Sequence, residues 1–197
     1  MYLICGLGNP GSEYELTRHN IGWLVLDQWR GSLLFNYKKK FKGELLEVDI
    51  AGQECLLLKP MTYMNLSGES LWPIASFYQI KADQVIVIHD DVDLSLGSVR
   101  IKKGGGHGGH NGLRSIVSTP IGDSFLRIRV GVGRPGDFLH PHLKMETADY
   151  VLGKWGRDEG EILERVILGA KESVIRLLQV GISKAQTEIH SIDYSKL

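Results

Sequence analysis

With only two cysteines in 197 residues, no long apolar run and a formal net charge of zero, the chain excludes several classes of protein at once. Cys5 and Cys55 both sit in apolar, strand-like segments, so they are expected as small buried hydrophobes in a reducing compartment, neither a disulfide nor a nucleophile. No stretch approaches the roughly 18 uninterrupted apolar residues that a membrane helix needs. The first residues enter a strand-like run with no basic region ahead of it, so a cytoplasmic location is expected. The phosphate-loop pattern G-x-x-x-x-G-K-[ST] is absent. His89, Asp90, Asp91, Asp93, His107 and His110 are metal-ligand types, but no H-E-x-x-H or H-x-E with C-x-x-C spacing joins them, and neither metal nor cofactor is expected.

Zero net charge taken alone argues against a nucleic-acid partner, but the distribution argues for one. From Ser98 to Arg134 there are seven basic residues (Arg100, Lys102, Lys103, Arg114, Arg127, Arg129, Arg134) against one acid, Asp123. This block brackets the densest feature of the chain, K-K-G-G-G-H-G-G-H-N-G-L from Lys102 to Leu113, with six glycines. Glycine at that density lets backbone N–H groups approach a ligand, and His107, His110 and Asn111 add directional polar groups that a flexible spacer would not carry. The Lys38-Lys39-Lys40 cluster with Lys42 reads as a solvated face.

Hydrophobic periodicity alternates between strand and helix. Tyr2–Leu7 reads as a strand, Ile21–Trp29 as a helix with Asn20 as cap, and Glu44–Ile50 with Glu54–Lys59 as a hairpin about Ala51-Gly52-Gln53. Ser67 can cap a helix to Tyr78. Val85–His89 is a near-continuous Val/Ile strand, Leu113–Val117 a short helix, Phe125–Val132 a strand and Asp158–Val180 a long amphipathic helix with Ile162, Val166, Ala170, Val174 and Leu177 on one stripe. Gly133–Glu146 shows no periodicity. The pattern predicts one three-layer α/β/α domain over residues 1–197 on a mixed, mostly parallel sheet, with 133–150 as a lid segment.

Gly6-Leu7-Gly8-Asn9-Pro10-Gly11 matches G-x-G-x-x-G after a strand, but Pro10 and the polar run 12–18 delay the helix to about Asn20, and Asp27 falls inside that helix instead of at the end of a second strand. A dinucleotide site is disfavoured. In an α/β sheet, ligands bind at the carboxyl ends of strands, and the polar residues fall there: Asn9, then Thr17-Arg18-His19-Asn20, then Tyr63-Met64-Asn65, His89-Asp90-Asp91 and His110-Asn111. A histidine, an acid and three carboxamides suit hydrolysis by an activated water. The carboxylate fixes the imidazole tautomer, the free ring nitrogen takes the proton, and neutral amides position water or stabilise an oxyanion.

Four motifs in order, G-L-G-N-P-G-x-x-Y-x-x-T-R-H-N (6–20), K-P-x-x-Y-M-N-x-S-G (59–68), H-D-D-x-D-L (89–94) and G-G-H-N-G-L (108–113), with R-x-R-V-G-V-G-R-P (127–135), make the chain resemble the bacterial peptidyl-tRNA hydrolase family. The resemblance implies hydrolysis of the ester joining a peptide, or an N-blocked aminoacyl group, to the 3′ ribose of tRNA, by a cytoplasmic monomer that needs no metal. By position it implies His19 as general base, Asp90 as the acid that holds it and Asn9 as the residue that separates blocked from free aminoacyl groups. It further implies Tyr14, Tyr63, Asn65 and Asn111 as contacts to the tRNA end or peptide, Met64 and His110 as lining, and Lys102 and Arg129 on acceptor-stem phosphates. The alternative is a non-catalytic RNA-binding module that uses the same loop and basic block.

Overall fold

The computed structural model describes residues 1–30, 33–137, 142 and 144–197. Seven strands form one sheet in the order β2-β3-β4-β1-β5-β7-β6: β1 (Tyr2–Gly6), β2 (Asn36–Lys38), β3 (Gly43–Ile50), β4 (Gln53–Pro60), β5 (Val85–Asp91), β6 (Val99–Lys103) and β7 (Leu126–Gly131). The centre, β4-β1-β5-β7, is parallel, and β3 and β6 run the other way. The Val/Ile run of β5 occupies the middle because both its faces are covered, which only a continuously apolar strand tolerates. The β3–β4 hairpin closes through Ala51 (φ 55°) and Gly52 (φ 76°), left-handed residues whose twist matches that of the paired strands.

Side chains alternate across the sheet into two cores. On one face Ile4, Ile86 and Ile88 pack with α1 (Ile21–Asp27) and α5 (Gly160–His190), where Val166, Ala170, Val174 and Leu177 form the buried stripe. On the other, Leu3, Cys5, Val85 and Val87 pack with α2 (Gly68–Phe77) and α3 (Asn111–Val117). Three α/β/α layers result. Cys5 and Cys55 are free and buried in these cores. No helix among the described residues is long and apolar enough to cross a membrane.

Several local expectations differ from the structure for identifiable reasons. α5 continues past Val180 to His190, broken at Gly181 (φ 76°, ψ 172°), which a side chain would not tolerate. A short helix, α4 (Thr147–Val151), lies in a stretch too brief to display a period. Neither Asn20 nor Ser67 caps a helix through its side chain: Asn20 bonds to Asn9, and the Ser67 hydroxyl donates to the Met64 carbonyl. Gly6 is there for contact, since a Cβ on it would lie 2.3 Å from the Gly22 carbonyl oxygen. Asp27 is held by Lys59 at 2.5 Å. Part of the expected lid, residues 138–141 and 143, lies outside the described residues.

Candidate active site

His19 lies in a single 3-10 turn, Arg18–Asn20, that hands the chain from β1 to α1. The turn is fixed from both sides. Asn20 Oδ1 accepts the Asn9 N–H and its Nδ2 donates to the Asn9 carbonyl, each at 2.9 Å. Arg18 donates to both Glu159 carboxylate oxygens (3.0 and 2.8 Å) and to the Lys154 carbonyl (2.8 Å), with its guanidinium 4.3 Å over the Tyr150 ring. Between these two anchors the His19 ring is 8 % exposed, and its Nδ1 is 2.8 Å from Asp90 Oδ1.

Asp90 ends β5 at 3 % exposure and serves two imidazoles through the same oxygen, with His110 Nε2 at 2.9 Å. The two rings lie 4.8 Å apart. His110 occupies the N-cap of α3, where its Nδ1 accepts the N–H groups of Gly112 (3.1 Å) and Leu113 (3.3 Å). A neutral ring accepting at Nδ1 carries its proton on Nε2, so His110 donates to Asp90. Asp90 therefore receives two N–H groups, and the His19 tautomer is Nδ1–H with an unprotonated Nε2. His89 Nδ1 donates to the Asp90 carbonyl at 2.7 Å, and its ring meets His110 edge-on at 5.2 Å.

The electrostatics follow from burial and charge. Burial lowers the His19 pKa, but the Asp90 charge and hydrogen bond outweigh it, and the balance stands above the ordinary 6.5. Burial likewise opposes ionisation of Asp90, yet the two histidines hold its carboxyl well below the usual carboxylate range. Burial and the neighbouring His110 drive His89 down to about 3, so it stays neutral. His19, Asp90 and His110 present metal-type donor atoms within 4.8 Å of one another. A cation there would have to displace the proton from His110 Nε2 and turn an Nδ1–H against two backbone donors, so the set fits a hydrogen-bond relay better than a metal.

The cavity beside this couple, about 460 Å³, is lined by His19, Asp90, His110, Asn111, Lys102 and Arg129 among others, with α4 as a wall. Arg129 Nε donates to Asp91 Oδ2 at 2.7 Å. Asn111 Oδ1 accepts from Arg114 at 2.8 Å. Asn9 is buried against Met64, whose N–H it accepts on Oδ1 at 2.7 Å, so the amide nitrogen of Asn9 faces away from that bond. Met64 is buried with its sulfur packed on Gly112. Asn9, Met64, Tyr14, Tyr63 and Asn65 are not among the lining residues: Asn9 and Met64 are buried against each other, Tyr14 shapes the turn before Thr17 through its carbonyl, Tyr63 is 59 % exposed, and Asn65 is exposed beside it.

The profile of the family described as "Peptidyl-tRNA hydrolase" matches residues 3–196. The chain belongs to the peptidyl-tRNA hydrolase family. It is 44 % identical over 197 residues to the peptidyl-tRNA hydrolase of Clostridium botulinum, covering 100 % of this chain and 99 % of that one. To the enzyme of Pelobacter propionicus it is 47 % identical over 190 residues, 95 % of this chain and 94 % of the other. The crystal structure of peptidyl-tRNA hydrolase from Acinetobacter baumannii superposes with a TM-score of 0.86 at 41 % identity, over 98 % of this chain and 96 % of that one. The fold and the hydrolase class of the family stand on these matches.

Three features of the site carry little sequence signal. Arg18 is visible as part of T-R-H-N, but its partners lie far along the chain. The α4 wall is too short to show a period. The sharing of Asp90 by two histidines depends on His110 being a cap, which H-N-G-L before an apolar run hints at only in retrospect.

Proposed function

We propose that the chain hydrolyses the ester between a peptide, or an N-blocked aminoacyl group, and the 3′ ribose of tRNA, with a water activated by His19. The observation that carries this reading is the buried contact of His19 Nδ1 with Asp90 Oδ1, which leaves His19 Nε2 unprotonated. Water gives a proton to Nε2 as its oxygen attacks the ester carbon. The carbonyl oxygen becomes an oxyanion, to which an amide N–H such as Asn9 Nδ2 is suited to donate. Collapse breaks the bond to the ribose 3′ oxygen, which takes the proton back from Nε2. The products are a carboxylate and a free tRNA 3′ end. Asp90 stabilises the imidazolium without accepting its proton.

In the same reading no metal takes part, Lys102 and Arg129 meet acceptor-stem phosphates, and Tyr14, Tyr63, Met64, Asn65, His110 and Asn111 border the tRNA end and the peptide. A single domain spanning 1–197, with 133–150 as a lid, works as a monomer in the cytoplasm. An RNA-binding module would not require a carboxylate-oriented imidazole that lines the cavity with a ring nitrogen left to take a proton, as His19 does beside Asp90. The test is release of N-acetyl-aminoacyl groups from tRNA in the presence of a chelator, with unblocked aminoacyl-tRNA as control. Release of the blocked group alone is expected; binding without turnover, or loss of turnover with the chelator, would overturn the reading.

A further inference from the structure

Arg127, in the middle of β7, is 3 % exposed and forms no ion pair with any described carboxylate. A guanidinium buried at that depth needs other compensation. It finds it in the glycine loop: Nη1 donates to the Gly106 carbonyl at 2.7 Å, Nη2 donates to the Gly105 carbonyl, and the cation lies 4.7 Å over the Phe125 ring. In a trans peptide the C=O and the following N–H point opposite ways, and the described peptides are all trans. Drawing the carbonyls of 105 and 106 inward therefore turns the N–H groups of Gly106 and His107 away from Arg127. Gly104 and Gly105, at φ 68° and 98°, allow that turn.

The same clamp reaches Lys102. Lys102 pairs across the ladder with Arg127, and its ammonium packs on Gly105, where a Cβ would lie only 2.8 Å from Nζ. Lys102, Gly106, His107 and Arg129 all line the cavity. We infer that Arg127 is a positioning residue for the acceptor end of tRNA: it locks the loop so that the Gly106 and His107 N–H groups and the Lys102 ammonium present one anion-binding wall. This rests on the tRNA reading above.

The test compares Arg127→Lys, which keeps the charge but loses the two-carbonyl fork, with Lys102→Ala and wild type. The substrates are N-acetyl-aminoacyl-tRNA and the same ester on plain adenosine, which has no phosphate. Arg127→Lys is expected to raise KM for the tRNA substrate about tenfold with kcat within about twofold, to leave KM for the adenosine ester unchanged, and to speed amide exchange at 104–109 about tenfold. Its KM should also lose part of its salt dependence although no charge is removed. Wild-type KM and loop exchange in Arg127→Lys, with Lys102→Ala impaired, overturn the clamp alone. Unchanged KM in Lys102→Ala overturns the phosphate reading and this inference with it. If Arg127→Lys does not fold, Gly105→Ala strains the same loop with Arg127 intact and is expected to raise KM for tRNA at least about threefold; an unchanged KM there overturns the proposal.

Discussion

Replacing Asp90 by asparagine removes one charge from a site where the rest of the geometry is over-determined, and the size of the resulting loss is therefore diagnostic. In a catalytic histidine–carboxylate pair, such a change costs about 10⁴ in kcat when the amide turns its NH₂ to the imidazole and enforces the wrong tautomer. Here that turn is blocked. His110 Nε2 carries a proton because its Nδ1 is committed to Gly112 and Leu113, so the oxygen of an amide at position 90 must face His110, and that oxygen is the one His19 uses. The His19 tautomer survives and only the charge is lost. An ion pair formed as His19 becomes imidazolium is worth roughly 3–4 kcal/mol for charges about 4 Å apart at an effective dielectric near 20. At 1.36 kcal/mol per decade, Asp90→Asn should lower kcat by about 10² to 10³ with KM nearly unchanged. The acid limb of the kcat/KM profile, above 6.5 in the wild type because Asp90 outweighs burial, should move to lower pH once burial acts alone. Adding His110→Ala to Asp90→Asn frees the amide to flip and should cost about a further tenfold. A loss near 10⁴ in the single variant, or a limb that does not move, would refute the tautomer lock.

Arg18→Met should destabilise the fold by about 3–5 kcal/mol, because it removes the cation that pairs with the buried Glu159 carboxylate and leaves that charge to backbone donors such as the Gly156 N–H, and Arg18→Met with Glu159→Gln should recover part of that. In a chain of this length the single variant should show a Tm lower by about 10 °C, read by calorimetry. His89, with its folded-state pKa near 3 against 6.5 unfolded, binds fewer protons folded than unfolded between those values. Its contribution is complete above pH 6.5 and is lost as pH falls towards 3, so His89→Gln should flatten the decline of Tm between pH 6.5 and 4.

What the sequence discloses and what it withholds divide along the range of the interactions. The β5 run, the 51–52 turn and the α5 stripe are local patterns, and each forms as its periodicity dictates. Strand β6 and helix α4 are short and lie beside glycine-rich or irregular stretches, so tertiary pairing decides them. At the site, strand-end placement brings His19, Asp90, His110, Asn111, Lys102 and Arg129 to one cavity. Long-range bonds are not legible in this way. Asn20 stands where a helix cap belongs, yet its amide spans 11 positions to Asn9; Arg18 reaches 141 positions to Glu159; Arg127 closes on a loop 21 positions back. Each is an ordinary polar residue until the fold supplies its partner.

The most direct measurement is the single-turnover rate of His19→Ala on N-acetyl-aminoacyl-tRNA, with a thermal melt to confirm the fold. Removal of the group that takes the proton from water should reduce the rate by about 10² to 10⁴ while tRNA affinity stays within about twofold. A variant that is folded and turns over at a near-normal rate would contradict the account.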